Sequence, residues 1–104
     1  MLPYELTPSA EDDLKDIARY TLKQWGKKQS LQYAGLLERR FLEIADRASF
    51  SRSFSERYPQ IQVTRCEHHY IFYLHPEGKR PCIIAVLHER MDRVARLENR
   101  LDLK

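Results

Sequence analysis

Glycine is scarce in this sequence, with three glycines among 104 residues. Loops that cradle phosphate groups need several glycines at fixed spacing, and the sequence contains neither a GxGxxG motif nor a Walker motif. Long apolar runs are also lacking, because no stretch approaches the roughly 20 apolar residues of a membrane-spanning helix. The start MLPYELTPS has no basic segment followed by an apolar run, so nothing indicates secretion. These absences exclude dinucleotide-binding and P-loop chemistry, and we expect a cytoplasmic protein without a membrane partner.

Cysteine is almost as rare, since Cys66 and Cys82 are the only two in the chain. Structural zinc sites usually contain paired ligands such as CxxC or HxxxH, and neither pair occurs here. The thiols of a cytoplasmic protein stay reduced. We therefore predict two reduced thiols, no physiological metal and no cofactor.

The composition is that of a globular protein, with 42% apolar and 32% charged residues. The length predicts a single domain over residues 1–104 with one hydrophobic core. The net charge of +3 permits an acidic partner without requiring one. Arginines near the C-terminal end alternate with carboxylates that nearly cancel them, which is typical of a solvated helix face. We expect no sequence-specific nucleic-acid binding by the chain alone.

Two amphipathic segments predict helices. Thr7-Pro8 is a typical helix start, and Gly26 is a natural stop. Between them, apolar or small residues recur at helical spacing: Ala10, Leu14, Ile17, Thr21 and Trp25. A second stripe, from about residue 30 to residue 48, consists of Tyr33, Leu37, Phe41, Ile44 and Ala48. The short connection predicts an antiparallel helical hairpin.

The remaining segments predict strands and one short helix. PYEL is a short N-terminal strand, and the serine-rich stretch over 49–60 is a loop held by aromatic side chains. IQVTRC, HYIFYL and PCIIAVLH are rich in β-branched and aromatic residues, as strands are. MDRVARLENRL is a short final helix. The predicted fold is α+β: a short N-terminal strand and an antiparallel helical hairpin packed on a small, mainly antiparallel sheet, with a short C-terminal helix.

The turns predict the register of the sheet. A two-residue turn at Glu67-His68 pairs Cys66 with His69, and a four-residue turn over 76–79 pairs His69 with Val86. Alternation then assigns one face to the helical hairpin: Ile61, Val63, Tyr70, Phe72, Leu74, Ile83, Ala85 and Leu87, with Arg65 as its charged member. The opposite face, which we expect to be a functional or partner-covered surface, carries Thr64, Cys66, His69, Ile71, Tyr73, His75, Cys82, Ile84, Val86 and His88.

Cys66, His69 and His88 come within reach of one another at one end of that face. They could supply three zinc ligands, with water as the fourth, in a zinc-stabilised interaction module. Alternatively, His88 could exchange protons near neutral pH while Arg65 and Arg80 hold phosphates, as in a ribonuclease. The structural interpretation, which we prefer, is that His88 ends the sheet and hydrogen-bonds to the turn that follows.

Several motifs in this order resemble one family. The start YELTPSAEDDLKDIARYTLKQWG is similar to the opening of ParE toxins, and the end RCEHHYIFY…IIAVLHERMD is similar to their last strands and turn. The resemblance implies the ParE/RelE toxin fold and a type II toxin–antitoxin role. In that superfamily ParE members poison DNA gyrase, whereas RelE members cut messenger RNA on the ribosome. Both are neutralised by a small antitoxin whose disordered, often acidic segment folds along the toxin.

The C-terminal end separates the two branches. RelE-type ribonucleases place a tyrosine or histidine close to that end, and here no tyrosine follows HERMD. Arg65 and His88 match two RelE-type positions, so a ribosome-dependent ribonuclease using them is the alternative. The resemblance favours a gyrase poison without catalysis of its own, with DNA gyrase and a ParD-like antitoxin as partners.

Two groups of residues are the candidates for contact with these partners. For the target we predict the strand end and the following turn: Arg65, His69, His88, Arg90 and Met91. For the antitoxin we predict aromatic residues of the helical hairpin: Tyr20, Trp25 and Tyr33. Core packing is the alternative for these aromatic residues, and we prefer it for Trp25 because of its place on the apolar stripe.

Overall fold

The computed structural model describes residues 2–47 and 51–101. The elements follow the predicted order, beginning with a short strand and a helical hairpin and ending with a short helix. They are β1 (Glu5–Leu6), α1 (Pro8–Trp25), α2 (Lys27–Ala45), β2 (Arg52–Ser53), β3 (Gln62–Cys66), β4 (His69–Leu74), β5 (Cys82–His88) and α3 (Arg93–Leu101). The predicted α+β class is therefore confirmed. Ala48 and Phe50, which the sequence assigned to the second stripe and the loop, lie outside the described residues.

Local capping determines where the helical hairpin turns. The Thr7 hydroxyl accepts the backbone N–H of Ala10 at 3.1 Å, so α1 begins at the predicted position. Gly26, with φ of 90°, ends α1 and directly precedes α2. The second helix thus begins at residue 27 rather than 30, because one glycine makes the whole turn. Across it, the hydroxyls of Thr21 and Ser30 hydrogen-bond at 2.9 Å.

Within the described ranges the strands form a five-stranded sheet in the order β1-β5-β4-β3-β2. β1 pairs with β5 in parallel, and the other neighbours are antiparallel, as the mainly antiparallel prediction requires. The edge strand β2 lies in the segment predicted as a loop, so that prediction was wrong for Arg52 and Ser53. A strand of two residues is too short to show the alternation that predicts a strand from the sequence.

The predicted register is right for one hairpin and wrong for the next. Cys66 faces His69 across the two-residue turn, as expected. In the second hairpin His69 faces His88 instead of Val86. The ladder is shifted at the turn, and then Ile84 is inserted as a β-bulge, because Tyr73 faces Ile83 whereas the preceding Phe72 faces Ala85.

The bulge is held by side chains from both ends of the chain. A carboxylate oxygen of Asp13 in α1, Oδ2, accepts the backbone N–H of Val86 at 2.9 Å. Arg100 in α3 donates from Nη1 to the Ile84 carbonyl at 3.0 Å and pairs with both oxygens of Asp13 at 2.8 and 2.9 Å. Backbone groups near the bulge thus gain side-chain partners, and α1, β5 and α3 are joined at one point.

The helical hairpin covers the face that we had assigned to partners, so that prediction was wrong. α2 packs Tyr33, Leu37, Phe41 and Ile44 against a face that contains Cys66, Ile71, Tyr73 and Val86. Most of the face predicted for the hairpin is instead covered by Leu97 of α3 and by Phe54 and Tyr58 of the loop. Ile83 is the exception and packs on the hairpin side as predicted, whereas its neighbour Ile84 packs on the side of α3. Both faces are apolar, and alternation alone does not tell which layer covers which. None of the described helices is long and apolar enough to cross a membrane.

Candidate functional site

The strand ends next to the β3–β4 turn form a polar corner, which we define as His68, His69, His88, Glu89 and Arg65. Cys66, His69 and His88 stand in one row across β3, β4 and β5, so they are within reach of one another as predicted, although the predicted register had placed Val86 opposite His69. The rings of His69 and His88 meet edge to face, with centroids 5.1 Å apart. His69 is only 7% exposed, because Tyr33 of α2 packs over it.

His69 is buried beneath Tyr33, and this burial sets its charge. The Tyr33 hydroxyl accepts the backbone N–H of His68 at 3.2 Å, and it lies 2.5 Å from Nδ1 of His69. Burial, followed by the charges of His88 and His68, lowers the pKa of His69 to about 4, so the imidazole is neutral at pH 7. Burial also raises the pKa of Tyr33 to about 12, so its hydroxyl keeps its proton at pH 7. His69 is therefore a buried, neutral ring that hydrogen-bonds to Tyr33 and not a proton-exchanging group at neutral pH.

Glu89 connects the exposed part of the polar corner. One of its carboxylate oxygens pairs with the Arg65 guanidinium, and the other lies 3.1 Å from Nδ1 of His68. The hydrogen bond with His68 is the main cause that lowers the pKa of Glu89, and Arg65 adds to it. Sequence reasoning missed both Glu89 and His68. The two-residue turn was the available signal, because it brings His68 beside the end of β5.

His88 has the structural role that we preferred for it. Its Nδ1 accepts the backbone N–H of Arg90 at 3.1 Å, and its carbonyl accepts that of Met91 at 3.0 Å. The imidazole thus ends the sheet and stabilises the turn into α3. Arg90 and Met91 are both exposed beyond this turn, and the structure brings Met91 away from the polar corner to the side of the sheet covered by α3.

An unbroken series of ring contacts joins the two predicted contact groups. It runs from Tyr20 to Trp25 (6.5 Å between centroids), from Trp25 to Tyr33 (5.8 Å) and from Tyr33 to His69 (5.5 Å). His88 then follows His69, and His68 stacks on His88 at 6.4 Å. We call this series the ring chain. The predicted antitoxin residues and the histidines predicted for the target therefore lie next to one another.

The ring chain is exposed at both ends, Tyr20 and His68, and buried in its middle. Tyr20 is 58% exposed and Trp25 is 42% exposed, so core packing of Trp25 was wrong. Trp25 is the last residue of α1, and the apolar stripe of this helix is not covered by the rest of the protein at that position. Trp25 therefore lies at the surface. Tyr33 is buried, so it supports the neighbouring rings from beneath.

The structure gives the zinc hypothesis no support. The Cys66 thiol faces the Leu36 carbonyl at 3.6 Å, and burial raises the pKa of this thiol. Nδ1 of His69 is occupied by Tyr33. In the part of the chain that the structure describes, no group of three His, Cys, Asp or Glu side chains is placed to hold a metal ion.

Comparison with known proteins gives a consistent result. A family model described as the ParE toxin of type II toxin-antitoxin system, parDE, matches residues 4–93. Toxin ParE of Escherichia coli is 42% identical over 101 residues, which is 97% of this chain and 98% of that protein. Toxin ParE1 of Caulobacter vibrioides is 32% identical over 97 residues, covering 93% and 99% of the two chains.

A solved structure supports the fold. A chain of the chromosomal ParDE TA system from P. aeruginosa superposes with a TM-score of 0.68 at 16% sequence identity. The match covers 85% of this chain and 96% of that one. At this identity the likeness concerns the fold, with a helical hairpin on one side of a mainly antiparallel sheet.

Proposed function

The chain belongs to the ParE toxins of type II toxin–antitoxin systems, and from that premise we propose that it poisons DNA gyrase in the cytoplasm without chemistry of its own. Gyrase poisoning needs a surface that binds the enzyme, whereas messenger cleavage needs an acid and a base free to exchange protons. The state of the polar corner therefore bears directly on the choice between them.

One observation carries the proposal: the ionisable groups of the polar corner are engaged with one another. Arg65 pairs with Glu89, Glu89 with His68, and Nδ1 of His88 with the backbone of Arg90. Burial keeps His69 neutral, with a pKa of about 4. Such a corner is suited to holding a binding surface in shape, and within it His69 does not exchange protons near neutral pH.

Direct assay of gyrase tests this proposal. Purified toxin, purified gyrase and supercoiled plasmid are incubated with ATP, and the reaction is treated with detergent and protease. We expect linearised plasmid, which reports gyrase trapped on cleaved DNA, and induction of the DNA-damage response in cells that express the toxin alone. Rapid messenger cleavage with intact DNA would refute gyrase as the target. In that case His88→Ala and Arg65→Ala test the ribonuclease alternative, because both should abolish cleavage.

A cognate antitoxin is the second proposed partner, and the helical hairpin is its proposed binding surface. Tyr20 and Trp25 expose large rings there. Beside them, an apolar cleft of about 390 Å³ runs between α1 and α2, and its lining includes Ile17 and Leu31. Exposed rings next to an apolar cleft suit a helix that lays its apolar side along the groove. The net charge of +3 suits an acidic segment.

For the target we propose the exposed parts of the predicted set. Arg65, Arg90 and Met91 are exposed and His88 is half-buried, so these can touch a partner. His69 is buried and contributes by holding His88 and the β3–β4 turn in position.

A further inference from the structure

A second groove lies on the sheet face opposite the helical hairpin, between the β2–β3 edge and the start of α3. Its volume is about 320 Å³. We call it the α3 groove, and its lining consists of Arg52, Phe54, Val63, Tyr70, Phe72, Met91, Asp92, Arg93 and Val94. Of these residues, Met91 also belongs to the proposed target surface, and the rest of the groove has no role in the proposed function so far.

The groove offers an apolar seat. Phe72 and Val63 are buried and form its floor. Met91 is 39% exposed and Val94 is 53% exposed, and both stand on the side of α3. Neighbouring exposed apolar side chains over an apolar floor are typical of a surface that binds another protein.

The groove also carries two arginines, Arg52 and Arg93, that form no ion pair with a carboxylate of the described residues. No carboxylate among residues 2–47 and 51–101 pairs with Arg52. Arg93 lies 4.2 Å above the Tyr70 ring and donates to the Glu89 carbonyl at 2.7 Å, so these two contacts hold it in place, and in the part of the chain that the structure describes no acidic side chain pairs with it. Asp92 is the one carboxylate among the described lining residues, and its Oδ1 accepts the backbone N–H of Ala95 at 3.1 Å.

A protein segment fits this groove better than a nucleic acid does. Single-stranded nucleic acids bind largely by stacking bases on open aromatic rings. The Tyr70 ring is covered by Arg93, and the Phe54 ring packs against Phe72 and Tyr58. Carboxylates beside an apolar anchor, in contrast, would match both the arginines and the floor.

We propose that the α3 groove binds an acidic, apolar-anchored segment of the protein that the toxin poisons. The groove continues the proposed target surface, since Met91 lines it and Arg65 lies 5.5 Å from the Tyr70 ring that lines it too. It also lies on the other side of the sheet from the helical hairpin, where we place the antitoxin. This proposal rests on the proposed function in requiring a protein target, but not on that target being gyrase.

Charge reversal in the groove separates target binding from antitoxin binding. The test variant is Arg52→Glu/Arg93→Glu, and the matched control is Arg39→Glu/Arg96→Glu, which changes the net charge equally at exposed arginines outside the groove. We expect growth inhibition on induction to weaken about tenfold or more in the test variant only, while its affinity for the antitoxin stays within about threefold of wild type. Retained antitoxin binding also shows that the variant is folded.

The first variant also removes the contact of Arg93 with Tyr70, which could affect the fold. A second variant, Arg52→Glu/Val94→Asp, leaves that contact in place, because it changes only exposed side chains. It should lose toxicity in the same way. Unchanged toxicity in both groove variants would overturn the proposal, and so would a parallel loss of antitoxin affinity, which would make the antitoxin the occupant. Binding of a labelled single-stranded RNA by wild type that disappears in the variants would also overturn it. Gyrase assays on wild-type protein decide the proposed target independently of these outcomes.

Discussion

The hydroxyl of Tyr33 lies 2.5 Å from Nδ1 of His69 and also accepts the backbone N–H of His68, so one side chain of α2 satisfies two polar groups of the sheet. Tyr33 and His69 are 36 positions apart in sequence. The contact fastens the helical hairpin to the β3–β4 turn. It also connects the exposed rings of α1 to the polar corner.

Loss of this hydroxyl should destabilise the fold. Tyr33→Phe keeps the ring but leaves Nδ1 of His69 and the N–H of His68 without their partner. We expect the free energy of unfolding to fall by about 1–3 kcal/mol, as for other buried polar groups left unsatisfied. Urea unfolding followed by circular dichroism measures the change. Tyr20→Phe is the matched control, because the Tyr20 side chain is exposed, and it should change stability by less than about 0.5 kcal/mol. Equal stability of Tyr33→Phe and wild type would contradict the prediction.

Acid should destabilise the protein through His69. Its pKa is lowered from 6.5 to about 4 in the folded state, chiefly by burial, so between these values the unfolded chain binds more protons. The stabilising contribution is therefore complete above about pH 6.5 and is lost as the pH falls through about 4. Unfolding midpoints measured at pH 7.0, 5.5 and 4.5 should decline in wild type and decline less in His69→Gln.

Glu89 acts in the same direction, since its hydrogen bond with His68 lowers its pKa in the folded state. Its contribution is present above its ordinary pKa and is lost at lower pH. Glu89→Gln separates the effect of Glu89 from that of His69, because the unfolding midpoint of this variant should still decline between pH 7.0 and 5.5. If His69→Gln retains the full decline over that interval, His69 is not its cause.

The Asp13–Arg100 pair at the bulge, which we call the clamp, should stabilise the fold more than an exposed ion pair does. Asp13 and Arg100 are largely buried, and they hydrogen-bond to the backbone of Val86 and Ile84. Asp13→Ala therefore leaves the largely buried guanidinium of Arg100 without its carboxylate and the backbone N–H of Val86 without its acceptor. We expect a loss of about 2–4 kcal/mol in urea unfolding. Asp16→Ala is the control, because the exposed Asp16–Arg19 pair lies on the same helix, and it should lose less than about 0.5 kcal/mol. Similar losses in the two variants would show that the clamp contributes nothing beyond a surface ion pair.

The same clamp shows which parts of the fold could be read from the sequence. Helices and strands are local patterns, and the Glu67-His68 turn alone sets the Cys66–His69 pair. The bulge at Ile84 depends on Asp13, which lies 73 positions before its partner Val86. No local period reports such a contact, so the register of β5 and the pairing of His69 with His88 were not predictable.

The site was predictable to a similar extent. Alternation put Cys66, His69 and His88 on one face and within reach of one another, and the strand end suggested the role of His88. The assignment of sheet faces failed because both faces are apolar, and the layer that covers each is decided by how whole elements pack. The exposure of Trp25 was missed because helical periodicity gives the direction of a side chain but not where the body of the protein ends.

Trp25 provides the sharpest test of the antitoxin surface. It stands between Tyr20 and the buried Tyr33 in the ring chain, and its truncation would remove the largest exposed ring of the helical hairpin. We expect Trp25→Ala to weaken binding of the cognate antitoxin by about 10- to 100-fold, and Trp25→Phe to weaken it much less. Titration calorimetry with the purified antitoxin measures both.

Leu42→Ala is the matched control for this experiment, because Leu42 is similarly exposed on α2 but takes no part in the ring chain. Its affinity should stay within about threefold of wild type. Urea unfolding of each variant shows whether the contact of Trp25 with Tyr33 affects the fold itself. If Trp25→Ala binds as tightly as wild type while Leu42→Ala does not, the antitoxin uses the outer face of α2, and the ring chain serves only to join the helical hairpin to the polar corner.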